Sequence, residues 1–170
     1  MDLPFDVEEY LNRQERLFSK LPESSIFIIP TNERKIRSND VSYPFRANSY
    51  MLYLCGWVED EGVLLATNES GLWKTTLFVP PRDTTKEIWE GVRIGVDGAN
   101  SWPVDITDSL ENLEAVVRDI AVKSEKIYSI SGVSKSVDEI LNNHGEINDP
   151  RPIIDLMRRI KSPKEIEYMR

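Results

Sequence analysis

The run "SSIFIIP" at residues 24–30 constrains the fold more than any other stretch. Four consecutive large apolar residues, Ile26, Phe27, Ile28 and Ile29, leave neither face of an extended chain polar. Such a run is typical of a strand buried on both faces, closed here by Pro30. A sheet of that kind needs a layer of helices on each side. Helical spacing supplies a first one over "PFDVEEYLNRQERLFSKLPE", where Val7, Tyr10, Leu11, Leu17, Phe18 and Leu21 recur on one stripe. Asp6 is its expected N-cap with Glu9 three residues on, Phe5 can staple against Tyr10, and Pro22 follows the end.

The remaining segments alternate in the same way. "YMLYLCGW", "GVLLAT" and "LWKTTLFV" read as the strands of a meander, with a hairpin turn at residues 68–71 in "NESG". "PPRDTTKEIWEG" reads as a loop and a short helix, capped at Thr84 or Thr85 and stopped at Gly91. "TDSLENLEAVVRDIAV" predicts a helix carrying Ile106, Leu110, Leu113, Val117, Ile120 and Ala121 on one side. "KIYSI" is another buried strand, and "SVDEILNNHG" a helix that Gly145 ends in left-handed geometry. "NDPRP" is a stiff connector before the short helix "IIDLMRRI". At the end, "KSPKEIEYMR" writes an explicit helix start: Ser162 as N-cap, Pro163 at the first position, Glu165 three residues after the cap. The apolar stripe that follows, Ile166 and Met169, lasts barely two turns, so without a packing partner this helix is expected to fray or to borrow contacts from a neighbouring molecule. The fold class is α/β, a mixed β-sheet flanked by helices.

Composition removes several functions. The 170 residues carry 21 Lys and Arg against 29 Asp and Glu, a net charge of -8, which is opposite to a nucleic-acid footprint. The runs "IFII" and "VLLA" fall far short of the roughly twenty residues that span a bilayer. The acidic start "MDLPFDVEEY" holds no apolar signal core, so a cytoplasmic protein with no membrane partner is expected. The single cysteine, Cys55, reads as a buried reduced thiol. The single histidine, His144, reads as a helix-end or solvated residue, with no second histidine or cysteine to complete a transition-metal site. "GVRIG" lacks the strand–turn–helix setting of a phosphate loop.

Three stretches exceed what a plain scaffold requires: "RSNDVSYPFRANSYMLYLCGWVE", "KEIWEGVRIG" and "DPRPIIDLMRRIKSPKEI". In this order they resemble the N-terminal domain of the aminopeptidase P family, in the prolidase/creatinase superfamily. The resemblance rests on Asp40, residues 43–46 ("YPFR"), Asn48, Ser49 and the "YLCG" that ends at Gly56. It continues in Leu77, Phe78, Arg82, Asp83, the "EIW" of residues 87–89, Gly91, Arg93 and Gly95. It closes on Asp149, Arg151, Pro152, Met157, Arg158, the "KSP" of residues 161–163, Glu165 and Ile166. The chain departs from the family pattern at Tyr50 and Met51, at Cys55, at Asp60 and at Arg159.

The resemblance implies more than the residues do. It makes residues 1–161 a non-catalytic N-terminal domain and residues 162–170 the start of the first helix of a C-terminal "pita-bread" metallopeptidase domain, absent from this chain. It implies an Xaa-Pro aminopeptidase, which removes the N-terminal residue preceding a proline, using a water activated by two metal ions, usually manganese. The metal ligands would all belong to that second domain, so no catalytic or metal residue is expected here and the chain alone is expected to be inactive. The present domain would build a subunit interface of a homo-oligomer and one wall of the site entrance, with Asp40 and Trp89 as entrance residues. The same residues leave two alternatives open, a prolidase-type dipeptidase and a metal-free pita-bread protein acting as a protein- or peptide-binding module.

Overall fold

The computed structural model describes residues 3–69 and 71–170. Its centre is the strand anticipated from "SIFIIP", β1 (Ser25–Pro30), with every residue buried. Around it lie β4 (Val63–Glu69), β5 (Leu72–Val79), β6 (Ile106–Ser109), β7 (Lys126–Ser129) and β8 (Ile147–Asn148), in the order β6-β5-β4-β1-β7-β8. The β1–β4 and β4–β5 pairs are antiparallel, while β1–β7, β7–β8 and β5–β6 are parallel. A separate antiparallel pair, β2 (Ile36–Ser38) and β3 (Val41–Ser42), stands outside the sheet.

Because strand side chains alternate, β1 feeds two cores. Phe27 and Ile29 join Leu17, Phe18, Met51, Leu54, Trp57, Leu64, Leu77, Ile154 and Met157 on one face. Ile26 and Ile28 join Val63, Leu65, Phe78, Leu113, Val117, Val137 and Leu141 on the other. The first layer contains α1 (Val7–Phe18), α2 (Ser49–Leu54) and α7 (Arg151–Arg159); the second contains α5 (Leu113–Ala121) and α6 (Lys135–Leu141). Two short helices, α3 (Thr84–Glu90) and α4 (Gly95–Ala99), connect β5 to β6, and α8 (Pro163–Tyr168) ends the chain. The α/β class with a mixed sheet between helices is therefore as the apolar patterning requires.

Several elements differ from expectation. "YMLYL" is the helix α2 and not a strand, so β4 pairs with β1 directly. Asn48 decides this: its side chain accepts from Tyr50 N at 2.8 Å, and its own Nδ2 donates to the carbonyl of Pro30, pinning a helix start to the end of β1. Ile106 begins the edge strand β6 and not a helix; the helix starts only at Leu113, after a 3-10 turn over Leu110–Asn112. The cap of α3 is Asp83 instead of Thr84 or Thr85, accepting from Thr85 N at 2.9 Å. α6 stops at Leu141, ahead of Gly145, although Gly145 does hold φ +92°. On α1 the expected stripe is shifted: Val7 and Leu11 are exposed, while Glu9, Arg13 and Gln14 are buried. Asp6 and the Phe5–Tyr10 contact, with ring centroids 6.1 Å apart, are as anticipated. The β4–β5 hairpin forms with Gly71 at φ +84° and its N–H donating to Asn68; Ser70, within the anticipated turn, lies outside the described residues.

Candidate functional site

The stretch "YPFRANS" is spent on fastening loops. Arg46 donates to Ser49 Oγ at 3.1 Å and to the carbonyl of Ala47, while Asn32 donates to the carbonyl of Arg46. These bonds carry the chain from the exposed β2–β3 pair into α2. Asp40 sits in the turn of that pair, directly after Asn39, which takes the left-handed φ of 49°. Its carboxylate is exposed and makes no hydrogen bond or ion pair among the described residues.

The "EIWEGVRIG" stretch shows the opposite use of polarity. Arg82 grips Glu87 with two bonds of 2.8 Å, and Glu87 also accepts from the backbone N–H of Arg93 at 3.1 Å. The Arg82 guanidinium holds the Glu87 carboxyl down to about 2. Arg93 in turn reaches Asp60 at 3.0 Å and Glu61 at 3.3 Å, and Arg34 pairs with the same buried Asp60. Glu59 accepts from Ile94 N at 3.0 Å, and its burial raises its carboxyl above the usual range. Gly95 must be a glycine: at φ +67°, a Cβ there would stand 2.4 Å from the Arg82 side chain. Polar bonds therefore fix both ends of α3, and its apolar residues take no part. Ile88 and Val92 are each 76% exposed and Trp89 is 87% exposed. No ring contact, ion pair or hydrogen bond reaches Trp89 among the described residues, and none joins it to Asp40.

The terminal stretch forms a third arrangement. Asp149 and Arg151 pair at the start of α7, the guanidinium lowering the carboxyl. Tyr50 donates to Asp155 at 3.3 Å, and Arg158 lies over the rings of Tyr50 and Tyr53. Ser162 and Glu165 make the full reciprocal capping box of α8. α8 lies against α1 and the residues just before it: Lys164 pairs with Asp6, Tyr168 meets Phe5 with ring centroids 5.3 Å apart, and Glu165 faces Arg13. A cleft of about 860 Å³ opens between α1, α2, α7 and α8, walled by Phe5, Arg13, Arg46, Tyr53, Arg158 and Tyr168.

Arg13 was not anticipated as a site residue. A signal existed: residues 13 and 14 occupy the helical positions between Tyr10 and Leu17, where an amphipathic stripe calls for apolar side chains. Burial pushes the Cys55 thiol up to about 12, which keeps it from acting as a thiolate. Among the described residues no group of three or more His, Cys, Asp or Glu could hold a metal ion. His144 lies in the turn after α6, its N–H bonded to the carbonyl of Leu141.

A mixed sheet with three motif-bearing segments defines an α/β domain of a recognisable class. The sequence profile described as the N-terminal domain of aminopeptidase P matches residues 10–128. The Xaa-Pro aminopeptidase of Haemophilus influenzae is 34% identical over 167 residues, covering 95% of this chain and 39% of that protein. An Arabidopsis thaliana protein named intermediate cleaving peptidase 55, mitochondrial, is 32% identical over 96% of this chain and 34% of its own length. The solved aminopeptidase P of Escherichia coli superposes with a TM-score of 0.88 at 27% identity, over 96% of this chain and 41% of that one. The same enzyme has been solved with the inhibitor Pro-Leu and in a zinc-substituted form with product. The chain belongs to the aminopeptidase P N-terminal domain family. It spans between 34% and 41% of the length of these relatives. No helix among the described residues is long and apolar enough to cross a membrane.

Proposed function

We propose that this chain is the non-catalytic N-terminal domain of a cytoplasmic Xaa-Pro aminopeptidase, acting on peptides with proline in second position. In this reading residues 1–161 form the domain and residues 162–170 open the first helix of a following catalytic domain, which holds two divalent metal ions, manganese by family habit. The ligands of both metal ions belong, in this reading, to that following domain. The task of the present domain is to shape the entrance to the site and to supply a contact between subunits of a homo-oligomer. Asp40 and Trp89 are the entrance residues: the carboxylate can pair with a peptide's free amine, and the indole offers a flat apolar face to a proline ring.

The observation that carries this is the state of Trp89. Tryptophan is mostly buried in folded proteins, yet Trp89 is 87% exposed with Ile88 and Val92 exposed close by in the chain, and the helix beneath it is held by Arg82, Asp83, Glu87 and Arg93 without its help. The names of the relatives supply the reaction class. The test is Asp40→Ala and Trp89→Ala in a polypeptide of the relatives' length, measured for melting temperature and for kcat/KM on Xaa-Pro peptides. Lost kcat/KM with an unchanged melt supports the entrance role. Unchanged kcat/KM in both variants removes it, and a wild-type polypeptide that cleaves no such peptide removes the enzyme reading in favour of a binding module.

A further inference from the structure

α8 is a helix that its own side chains cannot hold. It has six residues, buries none of them, and exposes Ile166 and Tyr168, as does its cap Met169. Helices this short are not stable alone. Its exposed pair with α1, Lys164–Asp6, lies in water at both ends, and such pairs contribute little. The remaining charged tie is different in kind. Arg13 is 3% exposed, and its guanidinium lies between the rings of Phe5 at 4.5 Å and Tyr53 at 4.4 Å. Nη1 donates to the carbonyl of Tyr53 at 3.0 Å. Nη2 stands 3.1 Å from Glu9 and 3.5 Å from Glu165 without a hydrogen bond to either, so both ties are ion pairs held by charge alone. One buried cation thus joins α1, α2 and α8.

We infer that Arg13 is a positioning residue: by holding Glu165 it pins α8 to α1 and sets the direction in which the chain leaves the domain. The pin works through charge. Glu9 and Glu165 face the same nitrogen, so without the cation two carboxylates, one of them buried, would confront each other across the α1–α8 seam. Repulsion would then drive α8 outward. The second oxygen of Glu165 is occupied by the N–H of Ser162, so one side chain both starts α8 and anchors it. Losing the anchor while keeping the start is possible, because glutamine serves equally in a capping box. The consequence for orientation rests on the reading that α8 leads into a second domain; the pin itself does not.

The test is amide exchange at residues 163–168, referenced in each variant to the amides of β1. Glu165→Gln should cost α8 a few-fold in protection, since Arg13 keeps Glu9 and Tyr53. Arg13→Met should cost more, roughly tenfold, the pair being intermediate between exposed and buried. The double variant should be better protected than Arg13→Met alone, because neutralising Glu165 removes the repulsion. A side chain that merely packs would show no such rescue. Unchanged protection in Glu165→Gln, or a double variant no better than Arg13→Met, overturns the pin. In a polypeptide of the relatives' length, kcat/KM on Xaa-Pro peptides should fall in Arg13→Met and partly return in the double variant. Full activity with a loosened α8 overturns the orientation role. Absence of any such activity in the wild type removes the enzyme reading instead, and the exchange data still decide on the pin.

Discussion

α2 and α3 are nearly equal in length, six and seven residues, and treat their apolar side chains in opposite ways. α2 buries Met51, Tyr53 and Leu54 against the sheet, and its backbone is tied to β1 through Asn48. α3 turns Ile88 and Trp89 to solvent and is held by carboxylate–guanidinium bonds at its ends. Burial is what stabilises α2, so Met51, Tyr53 and Leu54 cannot be truncated without the fold responding. In α3 polar bonds have taken over that work, and the apolar residues are left free for something outside the domain. The lesson is that a tryptophan's energetic role depends on what holds its backbone, and sequence alone shows only that a tryptophan is present.

That contrast can be broken by measurement. The largest effect is expected at Leu54→Ala, where loss of a fully buried side chain should cost about 3 kcal/mol in urea unfolding. Asp60→Asn comes next. It removes a buried carboxylate shared by Arg34 and Arg93, and should cost about 2 kcal/mol while loosening the segment after α3. A smaller, local effect follows from pH. Glu87 titrates near 2 in the folded chain against an ordinary 4.5, so its contribution is fully present above about 4.5 and is lost as pH falls through about 2. Amide shifts around Glu87 and Arg93 should therefore stay put through pH 4.5 and move only as pH falls towards about 2, and Glu87→Gln should remove that low-pH step. Smallest is Trp89→Ala, expected to leave stability within about 0.5 kcal/mol, as at a surface position. A cost approaching that of Leu54→Ala would end the distinction between the two helices.

Much of the architecture was legible because local signals agreed. "SIFIIP" announced a two-faced strand, Asp6 and Ser162 announced helix starts, and Gly91 with φ +89° ends α3 where expected. The two misassigned elements share one cause. "YMLYL" and "ITDS" are short, and five or so apolar or β-branched residues fit either period. For the first, the choice was made by Asn48 reaching Pro30, a partner 18 residues away. For the second, it was made by the β5 backbone, which pairs Thr76 with Ile106. The site was legible only as motifs: the importance of residues 87–95 could be read, but which of them hold the chain and which face outward could not.

By itself the sequence determined the class of fold, the main helix starts and the family, because apolar period, capping chemistry and the spacing of "YPFR", "EIW" and "KSP" are local properties. Only the tertiary structure decided that Trp89 is exposed, that α8 docks on α1, and that Arg13 is a buried cation between two carboxylates. Exposure and charge pairing depend on residues as far apart as 13 and 165, and nothing local to either position specifies the other.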